Sequence, residues 1–219
     1  MIKAVLFDLD GTIINTNNLI IQSFKYTFKK HLNLDVETNT IVSFFGEPLG
    51  KSMEKYDKEN ADKMVSIYRE YNLKVHDDLI ESFEGIEETL IELKKSGLKL
   101  AIVTSKRRVS AERGLNVFNL KDYFDLIITP EDTEIHKPNG EPALKACELL
   151  DISPDNALMV GDSHNDILCG KNAGTKTCLV KYSILPLEEL IAYNPDYAVE
   201  NLYDIIEIID SENRKMKSS

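Results

Sequence analysis

The feature that most constrains this chain is the recurrence of short, mainly apolar runs, each closed by polar or turn-forming residues. The first, Ala4-Val5-Leu6-Phe7, ends abruptly at Asp8. A strand with one face in water alternates apolar and polar side chains, whereas a continuous run is buried on both faces, as in a parallel sheet covered by helices. Leu98–Val103, Leu126–Ile128, Ala157–Val160 and Thr177–Val180 repeat the theme. Between them lie helical patterns. Ile86, Leu90 and Leu93 share a helical face, and Gly97 follows as a stop. Pro142 sits in the first turn of a helix, where a missing N–H costs little, and Ser163 precedes a helix that Gly174 closes. This alternation predicts an α/β fold: a doubly wound parallel sheet with right-handed crossovers.

One connection breaks the rhythm. Nearly ninety residues separate Asp10 from the strand near Leu98, where a strand-helix-strand crossover needs about a dozen. Within that stretch Ile20, Phe24, Phe28 and Leu32 recur every fourth residue, and Met64, Ile67, Tyr68 and Tyr71 have a similar helical spacing. The sequence therefore predicts a small helical subdomain inserted over 16–83 between core segments 1–15 and 84–219, with hinges at the two crossings.

A chain of 219 residues accommodates a large core with such an insert. Its 42% hydrophobic and 29% charged content is that of a globular protein, and only the polar tail Ser211–Ser219 is expected to fray. The formal net charge of −11, with no Lys/Arg stripe to offset it, repels nucleic acid and anionic membranes at long range. An anionic ligand must then be drawn by a local cation or metal. Cys147, Cys169 and Cys178 lack C-x-x-C spacing and read as buried thiols. Their odd number, the absence of an apolar leader before the first strand and the lack of a membrane-length apolar stretch together predict a soluble, cytoplasmic chain.

Asp8 and Asp10 emerge one residue apart where a buried strand ends, at the carboxyl edge where α/β proteins bind ligands. Gly11 permits a sharp turn and Thr12 can cap or hydrogen-bond the next segment, although a plain D-G turn uses the same residues. Thr104 and Ser105 end the next core strand with hydroxyls suited to a phosphoryl oxygen, or to a helix cap. Lys137 follows the third strand in a loop, a setting in which lysine is ordinarily solvated, and Pro138 keeps it out of a helix. Asp162 and Asp166 follow the fourth strand, with Ser163 and Asp166 also spaced as a capping box. Four carboxylates on one edge repel unless cations are present. Mg²⁺ and Lys137 would supply them, since Mg²⁺ takes one or two carboxylates, a carbonyl, waters and a substrate phosphate.

The motifs D-x-D-G-T, strand-end Thr/Ser, Lys and G-D-S-x-x-D occur here in that order, and resemble those of the haloacid dehalogenase superfamily of phosphohydrolases over the whole chain. The resemblance implies a Rossmann-like core in which Asp8 attacks phosphorus to form an aspartyl-phosphate. Asp10 would protonate the leaving group and then deprotonate the hydrolytic water. Thr104 and Lys137 would bind the transferring phosphoryl group. Asp8, the backbone carbonyl of Asp10 and Asp162 would ligate Mg²⁺, with Asp166, Ser105 and Ser163 in support, Asp166 acting through water or by orienting Lys137. Dehalogenases of the superfamily lack an acid at the Asp10 position because halide leaves unprotonated, so phosphoryl transfer is implied.

The insert resembles the superfamily's helical C1 cap, which closes over the site and carries specificity. Its loop Phe44–Lys51, shaped by Gly46 and Pro48, offers Glu47 and Lys51 for recognition, although an ordinary helix-helix turn would look the same. More narrowly, residues 6–17, this loop and residues 68–77 resemble the PpaX-type inorganic pyrophosphatases, and Asn15, an Asp in many relatives, agrees. Arg69 and His76 would then reach a second phosphate, or else form a solvated helix end. The implied substrate is pyrophosphate; phosphoglycolate or another small phosphate monoester is the alternative, and a phosphate-sensing module without turnover a third. In one departure, Lys137-Pro138-Asn139-Gly140-Glu141-Pro142 stands for the superfamily's K-P-x-P-x-P, and Gly140 is expected to loosen that loop.

Overall fold

The computed structural model describes residues 1–217. From β1 (Ala4–Phe7) the chain runs through β2 (Ile14–Asn15) into α1 (Asn17–Leu32), α2 (Thr38–Val42), α3 (Leu49–Glu54) and α4 (Ala61–Leu79), and returns through β3 (Glu81–Ser82). Helix and strand then alternate: α5 (Ile86–Lys95), β4 (Lys99–Val103), α6 (Arg108–Val117), β5 (Leu126–Ile128), α7 (Glu141–Leu149), β6 (Ala157–Gly161), α8 (His164–Ala173), β7 (Lys176–Val180), α9 (Leu187–Ile191), β8 (Tyr197–Val199) and α10 (Ile205–Lys217). Two compact units result, Asn15–Glu81 and Met1–Ile14 with Ser82 onward.

In the second of these units the described strands form one parallel sheet of order β5-β4-β1-β6-β7-β8. The chain winds outward from β1 through β4 to β5, then crosses back to β6 on the other side of β1. That reversal makes the carboxyl end of β1 a topological switch point, where open α/β sheets bind ligands. Ala4 and Leu6 of β1, Ala101 and Val103 of β4, and Ala157 and Met159 of β6 pack with Ala143, Ala146 and Cys147 of α7 and Cys169 and Ala173 of α8. The alternate residues Val5, Phe7, Leu100, Ile102, Leu158 and Val160 are equally buried, which accounts for the uninterrupted apolar runs. All three cysteines are free and buried. Burial pushes the thiols of Cys147 and Cys169 up to about 11 and that of Cys178 to about 12.

Two features depart from the sequence reading. A sixth strand, β8, lies on the edge beside β7. Its three residues are too few to register as an apolar run, and Asp196 just before it anchors the edge by accepting from Thr177 N and Oγ1, both at 2.8 Å. The polar tail expected to fray is helical as far as Lys217, while Ser218 and Ser219 lie outside the described residues. Ile205 and Ile209 are buried, and Asn213, four residues on, accepts from Ile2 N at 2.6 Å and donates to Ile2 O at 3.2 Å. A single helical stripe thus ties a charged segment to the start of β1.

The unit Asn15–Glu81 is helical. Phe24 and Phe28 of α1 join Ile41, Phe44, Met53, Ala61 and Met64 in its core. Buried Ser23 and Thr27 donate to the carbonyls of Leu19 and Ser23, each at 2.7 Å, so their hydroxyls cost little inside α1. Tyr26 stacks on Tyr71 of α4 with centroids 4.0 Å apart, and Asn72 Nδ2 donates to Ser23 Oγ at 3.1 Å.

Candidate active site

Register brings the strand-end residues together. Phe7 lies opposite both Ile102 and Val160, so Asp8 follows β1 while Thr104 and Asp162 come two residues beyond those partners on the flanking strands. Neighbouring strands are about 4.8 Å apart, within reach of side chains converging on one centre. Asp8 N donates to Val160 O at 2.9 Å and Thr104 N to Ile128 O at 3.0 Å, extending the ladder past the strands and fixing both backbones. After Asp10 the chain turns sharply, with the N–H groups of Ile13 and Ile14 both 3.0 Å from Leu9 O. Gly11 has φ +82°, and a Cβ there would stand 2.3 Å from Asp162 Oδ2, so only glycine lets the turn approach that carboxylate.

Lys137 is the electrostatic centre. Its Nζ donates to Asp8 Oδ1 at 2.6 Å and Asp166 Oδ1 at 2.7 Å, and its side chain is only 3% exposed. Asp166 Oδ2 accepts from Ser163 Oγ at 2.6 Å and Ser163 N at 3.0 Å, closing the capping box of α8. One carboxylate oxygen of Asp166 thus caps α8 while the other meets Lys137. The Lys137 loop is braced on each side. Glu141 accepts from the N–H groups of Glu134 and Ile135 at 2.8 and 2.9 Å, and Asn172 Nδ2 donates to Pro138 O at 2.9 Å. Gly140 does not loosen this loop as expected. A Cβ there would meet the backbone of Asn172 and Ala173 at 2.6 Å, so the glycine permits a tight approach to α8.

Asp8, Asp162 and Asp166 can each present an oxygen so that all lie within 4.8 Å of one another. Burial raises the Asp8 carboxyl to about 7; Lys137 opposes this, and Asp166 and Asp10 add to it. Asp162 is pushed well above the carboxylate range by burial and then by Asp166 and Asp8. Burial alone would lower Lys137, but Asp166 and Asp8 outweigh it and hold the ammonium charged. One ammonium cannot neutralise three buried carboxylates. Asp166 has both oxygens committed, whereas Asp8 and Asp162 keep acceptor capacity, so the donor set fits a hard cation bound by oxygen.

Other expected residues are placed less centrally. Thr104 Oγ1 accepts from Lys106 N at 3.0 Å, closing a local turn rather than capping α6, which begins four residues on. Ser105 is exposed. In the helical unit Glu47 is taken by Lys55, at 2.7 Å from both oxygens, and by Ser52 Oγ at 3.2 Å. Lys51 and Arg69 are exposed, whereas His76 is fully buried with Nδ1 2.8 Å from Asp77 Oδ1, so it is no solvated helix end. Three residues were overlooked. Lys106 Nζ donates to Asp10 Oδ1 at 2.8 Å, Ser183 Oγ to Asp162 Oδ2 at 3.3 Å, and Tyr182 OH to Thr12 O at 2.8 Å. A lysine two residues beyond a strand-end threonine was the available signal for the first; the loop after β7 offered none.

The model of the haloacid dehalogenase-like hydrolase family matches residues 5–180. The chain is 44% identical to the pyrophosphatase PpaX of Bacillus cereus, over 97% of this chain and 99% of that one. It is 51% identical to a Clostridium perfringens protein provisionally given the same name, over 97% and 100%. The structure of a haloacid dehalogenase-like family hydrolase from Streptococcus pneumoniae superposes with a TM-score of 0.86 at 26% identity, covering 94% of this chain and 98% of the other. Its strand-end acids, its sheet order and these matches agree: the chain is an enzyme of the haloacid dehalogenase-like hydrolase family.

Proposed function

We propose that this enzyme hydrolyses pyrophosphate to phosphate through an aspartyl-phosphate on Asp8, with Mg²⁺ as its metal. The observation that carries the reading is Lys137 Nζ held between Asp8 and Asp166, at 2.6 and 2.7 Å, beside Asp162 at one sheet edge. The names of the Bacillus cereus and Clostridium perfringens relatives support the choice of substrate. Asp8, the backbone carbonyl of Asp10 and Asp162 would hold the cation. When bound, Mg²⁺ supplies positive charge against the carboxylates and a phosphoryl oxygen. An Asp8 oxygen attacks phosphorus as the bond to the bridging oxygen breaks, and Asp10 gives that oxygen a proton. Lys137 and Thr104 bind the oxygens of the transferring group, where charge redistributes in the transition state. Asp10 then takes a proton from the water that cleaves the aspartyl-phosphate, returning Asp8 and releasing the second phosphate.

The helical unit Asn15–Glu81 is read as the cap that selects the substrate, with Glu47, Lys51, Arg69 and His76 its candidate recognition residues, and the enzyme as cytoplasmic. Among the described residues no helix is long and apolar enough to cross a membrane. Steady-state assays with Mg²⁺ on pyrophosphate, phosphoglycolate and sugar phosphates test the substrate. Pyrophosphate is expected to have the highest kcat/KM, and a preference for phosphoglycolate beyond about tenfold would overturn the assignment. Asp8→Asn is expected to abolish turnover; unchanged activity would remove Asp8 as nucleophile.

A further inference from the structure

Lys106 pairs with Asp10, the acid of the proposed reaction, yet has no task of its own in the chemistry of Asp8 and Lys137. Lys106 Nζ lies 2.8 Å from Asp10 Oδ1, with the lysine side chain 12% exposed and the aspartate 26%. Lys106 N donates to Thr104 Oγ1 at 3.0 Å, which fixes where the lysine leaves the end of β4. Among the described residues Asp10 is the one side chain the ammonium meets, so two of its three N–H donors remain for a ligand. The two lysines divide the site. Lys137 belongs to Asp8, the side from which phosphorus is attacked, and Lys106 belongs to Asp10, the group that addresses the departing oxygen.

In an in-line displacement the leaving group departs opposite the nucleophile. An alcohol leaving a phosphate monoester is neutral once protonated and has no use for a second ammonium. A phosphate leaving pyrophosphate stays anionic, and a lysine ammonium is a compact point charge suited to receiving it. We propose that Lys106 is a specificity residue that binds the leaving phosphoryl group of a diphosphate, beside Asp10. The inference rests on the pyrophosphatase reading and deepens it. As the bond from phosphorus to the bridging oxygen breaks and the bond to Asp8 forms, the electron pair stays on the bridging oxygen. The proton from Asp10 joins it there, and Lys106 holds the remaining charge of the departing phosphate.

The test compares Lys106→Met, which keeps most of the side-chain volume, with Lys106→Arg, which keeps the charge, after thermal unfolding confirms that both fold. The readout is the ratio of kcat/KM for pyrophosphate to that for p-nitrophenyl phosphate, whose leaving group lacks a second phosphoryl. Both activities fall in Lys106→Met because Asp10 loses its partner, but the ratio is expected to fall at least about tenfold, and by less than about threefold in Lys106→Arg. Methylenediphosphonate, which cannot be cleaved at its bridge, reads the same subsite as an inhibitor of p-nitrophenyl phosphate turnover. Its Ki is expected to rise about tenfold in Lys106→Met. A ratio and Ki that both stay within about twofold would overturn the inference and leave Lys106 as a partner of Asp10 alone. A wild-type enzyme that turns over p-nitrophenyl phosphate but not pyrophosphate would sink the underlying reading, while the diphosphonate Ki still decides whether Lys106 binds a second phosphoryl group.

Discussion

Without a divalent cation, the folded chain should lose stability as pH rises through neutrality. Asp8, Asp162 and Asp166 converge to within 4.8 Å around a single ammonium. Asp8 titrates near 7 in the folded chain against an ordinary value of 3.8, because burial disfavours its charge more than Lys137 favours it. The folded state therefore holds this proton more tightly than the unfolded state does. Its contribution is complete below pH 3.8 and is lost as pH climbs through about 7. The gap between those two values corresponds to about 4 kcal/mol. About 3 kcal/mol of it falls between about pH 5 and about pH 8, which for a chain of this size is roughly 6–12 °C in Tm. Asp162 is displaced in the same direction and steepens the slope. Carboxyls held low by ion pairs, such as Glu212 at about 2, lose their contribution only in more acidic solution and leave the window clear. Scanning calorimetry from about pH 5 to about pH 8, in chelator and in excess Mg²⁺, makes the measurement. In chelator Tm should fall across the range, and Asp8→Asn should lessen that fall, with Asp162 accounting for the remainder. Mg²⁺ should raise Tm more at the alkaline end, because only deprotonated carboxylates bind it. A Tm in chelator that is flat or rises, or an Asp8→Asn variant with the wild-type slope, would refute the claim that uncompensated carboxylates dominate this site.

Two substitutions probe the same centre. Lys137→Met strands buried carboxylates without their ammonium and should cost about 3–5 kcal/mol in urea unfolding at neutral pH, with part restored by Mg²⁺. Its turnover should fall at least about a thousandfold in steady-state assays, and a variant within tenfold of wild type would remove the lysine from phosphoryl binding. Gly11→Ala forces a left-handed residue and sets a Cβ 2.3 Å from Asp162 Oδ2. It should cost about 1–2 kcal/mol from the backbone alone. By displacing Asp162 it should also raise the Mg²⁺ concentration needed for half-maximal activity about tenfold, and an unchanged Mg²⁺ requirement would contradict the close approach.

What could be read in advance divides along a physical line. Asp8, Thr104 and Asp162 are each placed by the strand that precedes them, and parallel register then leaves little freedom in where their side chains meet. Buried two-sided strands announce themselves locally, so these residues were legible from short stretches of chain. The same holds for the Ser163–Asp166 capping box, which is local by construction. Edge strand β8 and the end of α10 were not legible, because a three-residue strand has no periodicity to detect and Asn213 has meaning only beside Ile2. Gly140 was misjudged because its environment is the backbone of Asn172 and Ala173, over thirty residues away in the chain.

The role proposed for Lys106 would make specificity harder to read than chemistry. A nucleophile and the groups that bind its phosphoryl target must stand at fixed distances from one phosphorus atom, so rigid strand ends and loops braced at both sides suit them. A leaving group has only to be received, and a long side chain two residues past a strand can do that from many backbones. Lys106 and Asp10 are 96 residues apart and meet only because β4 lies beside β1. The sequence around Thr104 therefore carries the lysine without its meaning, which comes from the carboxylate on the neighbouring strand end. Exposed Lys51 and Arg69 have no such neighbour among the described residues, so a proposed role for either in selectivity is tested by substrate assays on its alanine variant.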